Sequence, residues 1–169
     1  MDEAAPARRR WSQSAREALH RAVQASEDYR PQLEGIATAA KHIENEAHDN
    51  PALIAELVPH VQRDLAEIER VLADIRSWMI DPRPDPTGAH ERWLGWPEHA
   101  KATTHRLAEL AGEAVRQAGD MQDWLDNIAR EAHDNPKVVK RLAILLQRDG
   151  ARIAATLATI RSDLLQLSP

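Results

Sequence analysis

Superposed on itself with an offset of 85 residues, the 169-residue sequence matches at more than a quarter of its positions, where its composition alone would give under a tenth. A chain duplicated on this scale folds as two copies of one unit, and each copy must bury its apolar side against something. The longest shared block is Glu46-Ala47-His48-Asp49-Asn50-Pro51, repeated as Glu131-Ala132-His133-Asp134-Asn135-Pro136. Gln62-Arg63-Asp64 recurs as Gln147-Arg148-Asp149, Ile75-Arg76-Ser77 as Ile160-Arg161-Ser162, and Trp11 as Trp96.

Inside each copy the apolar residues form helical stripes. Ile54, Val58, Val61, Leu65, Ile68, Leu72, Ile75 and Met79 alternate spacings of four and three, the seam of a helix packed against others. Copy two repeats those columns from Val139 to Leu164, with Gly150 in place of Leu65. The preceding arm carries Trp11, Ala15, Ala18, Ala22, Ala25 and Tyr29, then Leu33, Ile36, Ala40, Ile43 and Ala47. Its counterpart is predicted to bury Trp96, Ala100, Thr103, Leu107 and Leu110, then Ala114, Ala118, Met121, Leu125, Ile128 and Ala132. Phe is absent and Ala abundant, so narrow, Ala-lined helix seams are expected.

Asn50-Pro51 and Asn135-Pro136 divide each copy into a hairpin. Asn accepts from the unpaired amides of a starting helix, and Pro at the first helical position lacks only an N–H that has no partner there. The pattern predicts arms over about 12–48 and 51–79, then 97–133 and 136–167. Ser14 with Glu17 has the spacing of a capping box, Ser12 being the alternative cap. Pro31 and Pro59 occur in copy one alone; each is expected to kink its helix, and Pro31 is placed to split the first arm.

Residues 1–10 read as a flexible tail and 11–169 as a single bundle: hairpin copy one over 11–80, a proline-rich linker over 81–92, and hairpin copy two over 93–168. The expected fold class is all-α, an up-down-up-down antiparallel four-helix bundle made of two duplicated helical hairpins. A dimer of extended hairpins is the alternative.

Several functional classes are excluded by composition. Without cysteine there is no disulfide framework and no thiolate metal site, and a cytoplasmic setting is expected. No leader or membrane-spanning stretch is apparent, so no membrane partner is expected. The net charge of −5 splits as −4 over residues 1–84 and −1 over 85–169; Arg8, Arg9 and Arg10 are the one basic cluster in the linear sequence, and no nucleic-acid partner is expected.

Candidate sites are few. A carboxylate-bridged metal bundle needs paired Glu-x-x-His motifs, yet Glu17-x-x-His20 is answered in copy two by Ala102-x-x-His105. Glu and His four apart, as in Glu44/His48, His42/Glu46, Glu56/His60 and His105/Glu109, are expected as surface helix contacts. Gln62, Asp64, Gln147 and Asp149 flank the stripe and are expected to set register between helices, paired buried carboxylates for acid–base work being the alternative. The twin turns are the most specific feature: His48 and His133 suit a helix C-terminus, while Asp49 and Asp134 beside them make either a plain turn or a ligand site built twice. Trp78 and Trp93 have no counterparts and are candidates for a partner surface. Leu53, Leu57, Val71 and Trp78 widen the stripe of the second arm, which is expected to self-associate, the alternative being that a four-helix core consumes the surplus.

These features point to a non-enzymatic interaction or assembly module that binds another protein or itself, with no cofactor. The alternative is a helical metal-binding protein or hydrolase using the twin turns, with His48 and His133 as metal ligands.

Overall fold

The computed structural model describes residues 13–79 and 97–167. Among them are five helices and no strand: α1 Gln13–Glu27, α2 Arg30–Glu46, α3 Pro51–Trp78, α4 Glu98–Glu131 and α5 Pro136–Leu167, which take 91% of the described residues. The tail 1–10, Trp11, Ser12, the linker 81–92, Trp93 and Trp96 lie outside the described residues.

The first arm is two helices. Pro31 has no N–H to offer the Glu27 carbonyl, and α1 stops at Glu27. The chain passes through Asp28 and Tyr29, and α2 restarts with Pro31 in its first turn and the Leu33 amide donating to the Tyr29 carbonyl at 3.1 Å. Pro59 has no such effect: it is exposed, and α3 runs through it as one helix. At the N-terminal end α1 is already helical at Gln13, so Ser14 lies inside the helix rather than at its cap.

The arms close into a bundle in which α3 packs on α4, α4 on α5, and both α3 and α5 on α1 and α2. Cross-helix pairs show the directions. Gln62 meets Asp126 while Arg76 lies over Gly112, so α3 and α4 run antiparallel. Glu44 meets Gln147 while Glu27 meets Arg161, so α1 and α2 run antiparallel to α5. The turns at 47–50 and 132–135 therefore lie at the same end of the bundle.

The core is apolar throughout, with Thr104 and Asp149 the buried polar residues among those described. All eight stripe residues of α3 are buried, and α1 approaches closely on Ala15, Ala18 and Ala22. One column departs from expectation. In α4 the buried seam runs through Ala100, Thr104, Leu107, Ala111, Ala114 and Ala118, with Ala108 and Gly112 buried beside it, whereas Thr103 and Leu110 are half-buried. The seam keeps an unbroken four-three alternation to Ala132, and that register prevails over the bulk of Leu110 because every later core residue of the helix shares it. Thr104 tolerates burial because its hydroxyl lies 3.0 Å from the Ala100 carbonyl and 3.0 Å from that of Lys101, helix carbonyls to which it can donate.

Candidate binding surface

At the twin turns the two copies use the same backbone. The Glu46 carbonyl accepts from the amides of Asp49 and Asn50 at 3.2 and 3.0 Å, and the Glu131 carbonyl from those of Asp134 and Asn135 at 3.2 and 2.9 Å. Asn50 Oδ1 accepts from the Leu53 amide at 3.2 Å, completing the cap of α3. Ala47 and Ala132 are buried against the core, which accounts for their recurrence. His48, Asp49, His133 and Asp134 are all exposed, displayed at one end of the bundle. Among the described residues no three His, Asp or Glu side chains converge as a metal-binding group. Of the Glu/His pairs four apart, His105 and Glu109 come within 3.6 Å on the surface.

Of the four residues flanking the stripe, Gln62 and Gln147 link the copies, while Asp149 pairs within its own helix. Gln62 Nε2 donates to Asp126 Oδ1 at 2.8 Å across α3 and α4, and Gln122 Nε2 donates to the Gln62 carbonyl at 3.0 Å. One repeat later Gln147 Nε2 donates to Glu44 Oε2 at 2.7 Å across α5 and α2. That bond, followed by the contact with Lys41, holds the Glu44 carboxyl below the usual glutamate range. Asp64 is half-buried, but Asp149 is 6% exposed, with Arg148 Nε at 3.2 Å and Arg152 Nη1 at 3.6 Å. Burial on that scale was not legible from the pattern, because position 149 looks like a flank in the stripe.

The second arm of copy one is not the apolar surface its sequence suggests. Val71 is buried, Leu53 is half-buried, and Leu57 and Trp78 are half-buried against the core. Trp78 and Tyr29 line a shallow cleft between α1 and α3. The bundle consumes that surplus.

The open surface lies on the other side. Ile144 and Leu165, 47% and 48% exposed, are the large apolar residues left in solvent among those described, and both are on α5. Between them runs a groove of about 660 Å³ bounded by α5 and the α1–α2 junction. Its floor and walls include Gly150, Ala151, Ala154 and Ala158 of α5 and Leu33 and Ala37 of α2. Gln147 stands toward one end; toward the other the Arg161–Glu27 ion pair, at 3.0 Å, closes it. The Arg161 Nε–H is buried with no hydrogen-bond partner.

The equivalent positions of copy one, on α3, carry larger side chains. Leu65 and Glu69 stand where Gly150 and Ala154 stand in copy two. Glu69 lies one heptad from both Gln62 and Arg76, the residues that reach α4, and burial there pushes its carboxyl above the ordinary value.

Charge divides as sharply as shape. The helix α5 carries Lys137, Lys140, Arg141, Arg148, Arg152 and Arg161 against Asp149 and Asp163, a net +4 in a chain of −5. Four basic residues and seven acidic ones give α4 a net −3. Totals taken over half the chain average these two helices together and conceal both. Comparison with protein-family models, with curated proteins and with solved structures finds no match for this chain.

Proposed function

We propose that this chain is a non-enzymatic helical-bundle module that works by binding another protein or a second copy of itself, in a cytoplasmic setting consistent with its cysteine-free sequence. One observation carries the reading. Of two helices built from duplicated sequence, α5 has Gly150 and Ala154 where α3 has Leu65 and Glu69, and beside α5 lies a groove with apolar residues along it, reaching exposed Leu165 at one end and Gln147, one turn from exposed Ile144, at the other. Exposed apolar surface of this kind favours aggregation unless something covers it, and it is the feature that marks interaction sites on otherwise polar proteins.

The test is affinity capture from the native cell, with a photo-crosslinking residue at Ala158, alongside light scattering of the purified chain. A crosslinked protein or a concentration-dependent oligomer is expected. A strict monomer that crosslinks to nothing overturns the proposal.

A second role is favoured by one observation, the display of His48, Asp49, His133 and Asp134 at the same end. If they form a metal or hydrolytic site, the chain purified without a His-tag carries stoichiometric metal that a His48→Ala/His133→Ala variant loses.

A further inference from the structure

We infer that the groove on α5 receives a single acidic amphipathic helix from a partner protein. This rests on the reading of the chain as a binding module and adds the surface and the chemistry of its occupant.

The shape is that of a missing helix. Ile144, Ala151, Ala158 and Leu165 recur every seven residues, all exposed, and so form one line along α5. The line spans 21 residues, about 31 Å at 1.5 Å per residue. Ala and Gly along its middle let another helix axis approach closely, while Ile144 and Leu165 at its ends offer bulk for the occupant to cover. On the far wall Leu33 and Ala37 supply apolar surface, with Arg30 and Glu34 beside them. Small residues alone would say little. Here they come with a groove, two flanking apolar residues and a distinct charge.

That charge selects the partner. Lys137, Arg141, Arg148 and Arg152, spaced four, seven and four apart, lie along one side of α5 next to the apolar line, and all are exposed. Arg148 and Arg152 are shared with Asp149, but Lys137 and Arg141 make no ion pair among the described residues. A helix whose apolar stripe enters the groove and whose carboxylates flank it on the α5 side covers the apolar line and pairs with the basic edge at once. Nucleic acid satisfies the basic line but leaves Ile144, Leu165 and the groove uncovered, and a second copy of α5 would set basic line near basic line.

The experiment uses the full chain and a synthetic 21-residue helical peptide with Leu at heptad spacing and Glu beside it, followed by fluorescence anisotropy. Controls are a peptide of the same composition with the Leu residues scattered round the helix, and a short DNA duplex. Binding of the amphipathic peptide is expected, weakened at least about tenfold by Ile144→Glu/Leu165→Glu and several-fold by Lys137→Glu/Arg141→Glu or by raised salt. These positions are exposed, and circular dichroism checks that the variants remain folded. Absence of binding at 100 µM peptide, equal affinity for the scattered peptide, or unchanged affinity in Ile144→Glu/Leu165→Glu overturns the inference. So does preferential binding of the duplex, or a dimer of the chain that this same variant disperses. Capture from cells separates the two proposals: a partner retained equally by the wild-type chain and the groove variant leaves the module reading standing and removes the groove.

Discussion

Gln147 Nε2 donates to Glu44 Oε2 across 2.7 Å, tying the last helix of copy two to the first arm of copy one. Its counterpart, Gln62 on Asp126, ties the copies together on the opposite seam. The recurrence of Gln at 62 and 147 thus has a structural role in the closure of one repeat on the other.

Glu44 titrates below the ordinary glutamate value because its ionised form accepts from Gln147 and then from Lys41. A carboxylate whose folded value is depressed contributes stability that is present above the unfolded value and is lost as pH falls through the folded one. Carbon-detected NMR titration should place the Glu44 midpoint below that of exposed glutamates, and Gln147→Ala should move it upward. An unmoved midpoint would remove Gln147 as the main cause.

Glu69 behaves in the opposite sense. Burial raises its folded value, so ionisation costs stability as pH rises from the unfolded value through the folded one. Glu69→Gln should therefore raise the melting temperature at pH 7, by an amount worth less than about 0.5 kcal/mol, and the gain should vanish near pH 4.

Gly150→Ala should stabilise the chain. A Cβ there sits 3.8 Å from Met121 Cε and 3.9 Å from Ile36 Cγ2, ordinary contact distances. Gly119→Ala meets nothing within 4 Å. Each substitution removes a helix-interior glycine and should add about 0.5–1 kcal/mol in chemical denaturation, while Gly35→Ala, facing Asp64 Oδ2 at 3.4 Å, should add less.

The twin turns make a sharp comparison. Asn50→Ala removes the acceptor of the Leu53 amide and should cost about 1 kcal/mol. His48→Ala and His133→Ala affect exposed side chains beside carbonyls already bonded to backbone amides, so each should cost no more than about 0.5–1 kcal/mol. An unchanged melting temperature with lost partner binding in the double variant would identify the turns as a site.

Much of this fold is written in local order along the chain. The duplication, the helical stripes, the Asn-Pro turns and the break at Pro31 all follow from spacing and cap chemistry, which neighbours in sequence decide among themselves. Ala47 and Ala132, two of the recurrent turn positions, stand at the ends of those stripes, and both are buried in the packed bundle. The core register of α4 follows the four-three alternation that runs through Thr104 and Ala111 to Ala132 rather than the bulk of Leu110. The α5 groove depends most fully on tertiary structure. Gly150 and Ala154 are unremarkable in the sequence of a helix, and Lys137, Arg141, Arg148 and Arg152 are scattered along it. They become a cleft and a charged edge when α5 is set beside α2, because a surface is a relation between residues on different helices, and helical periodicity reports on one helix at a time.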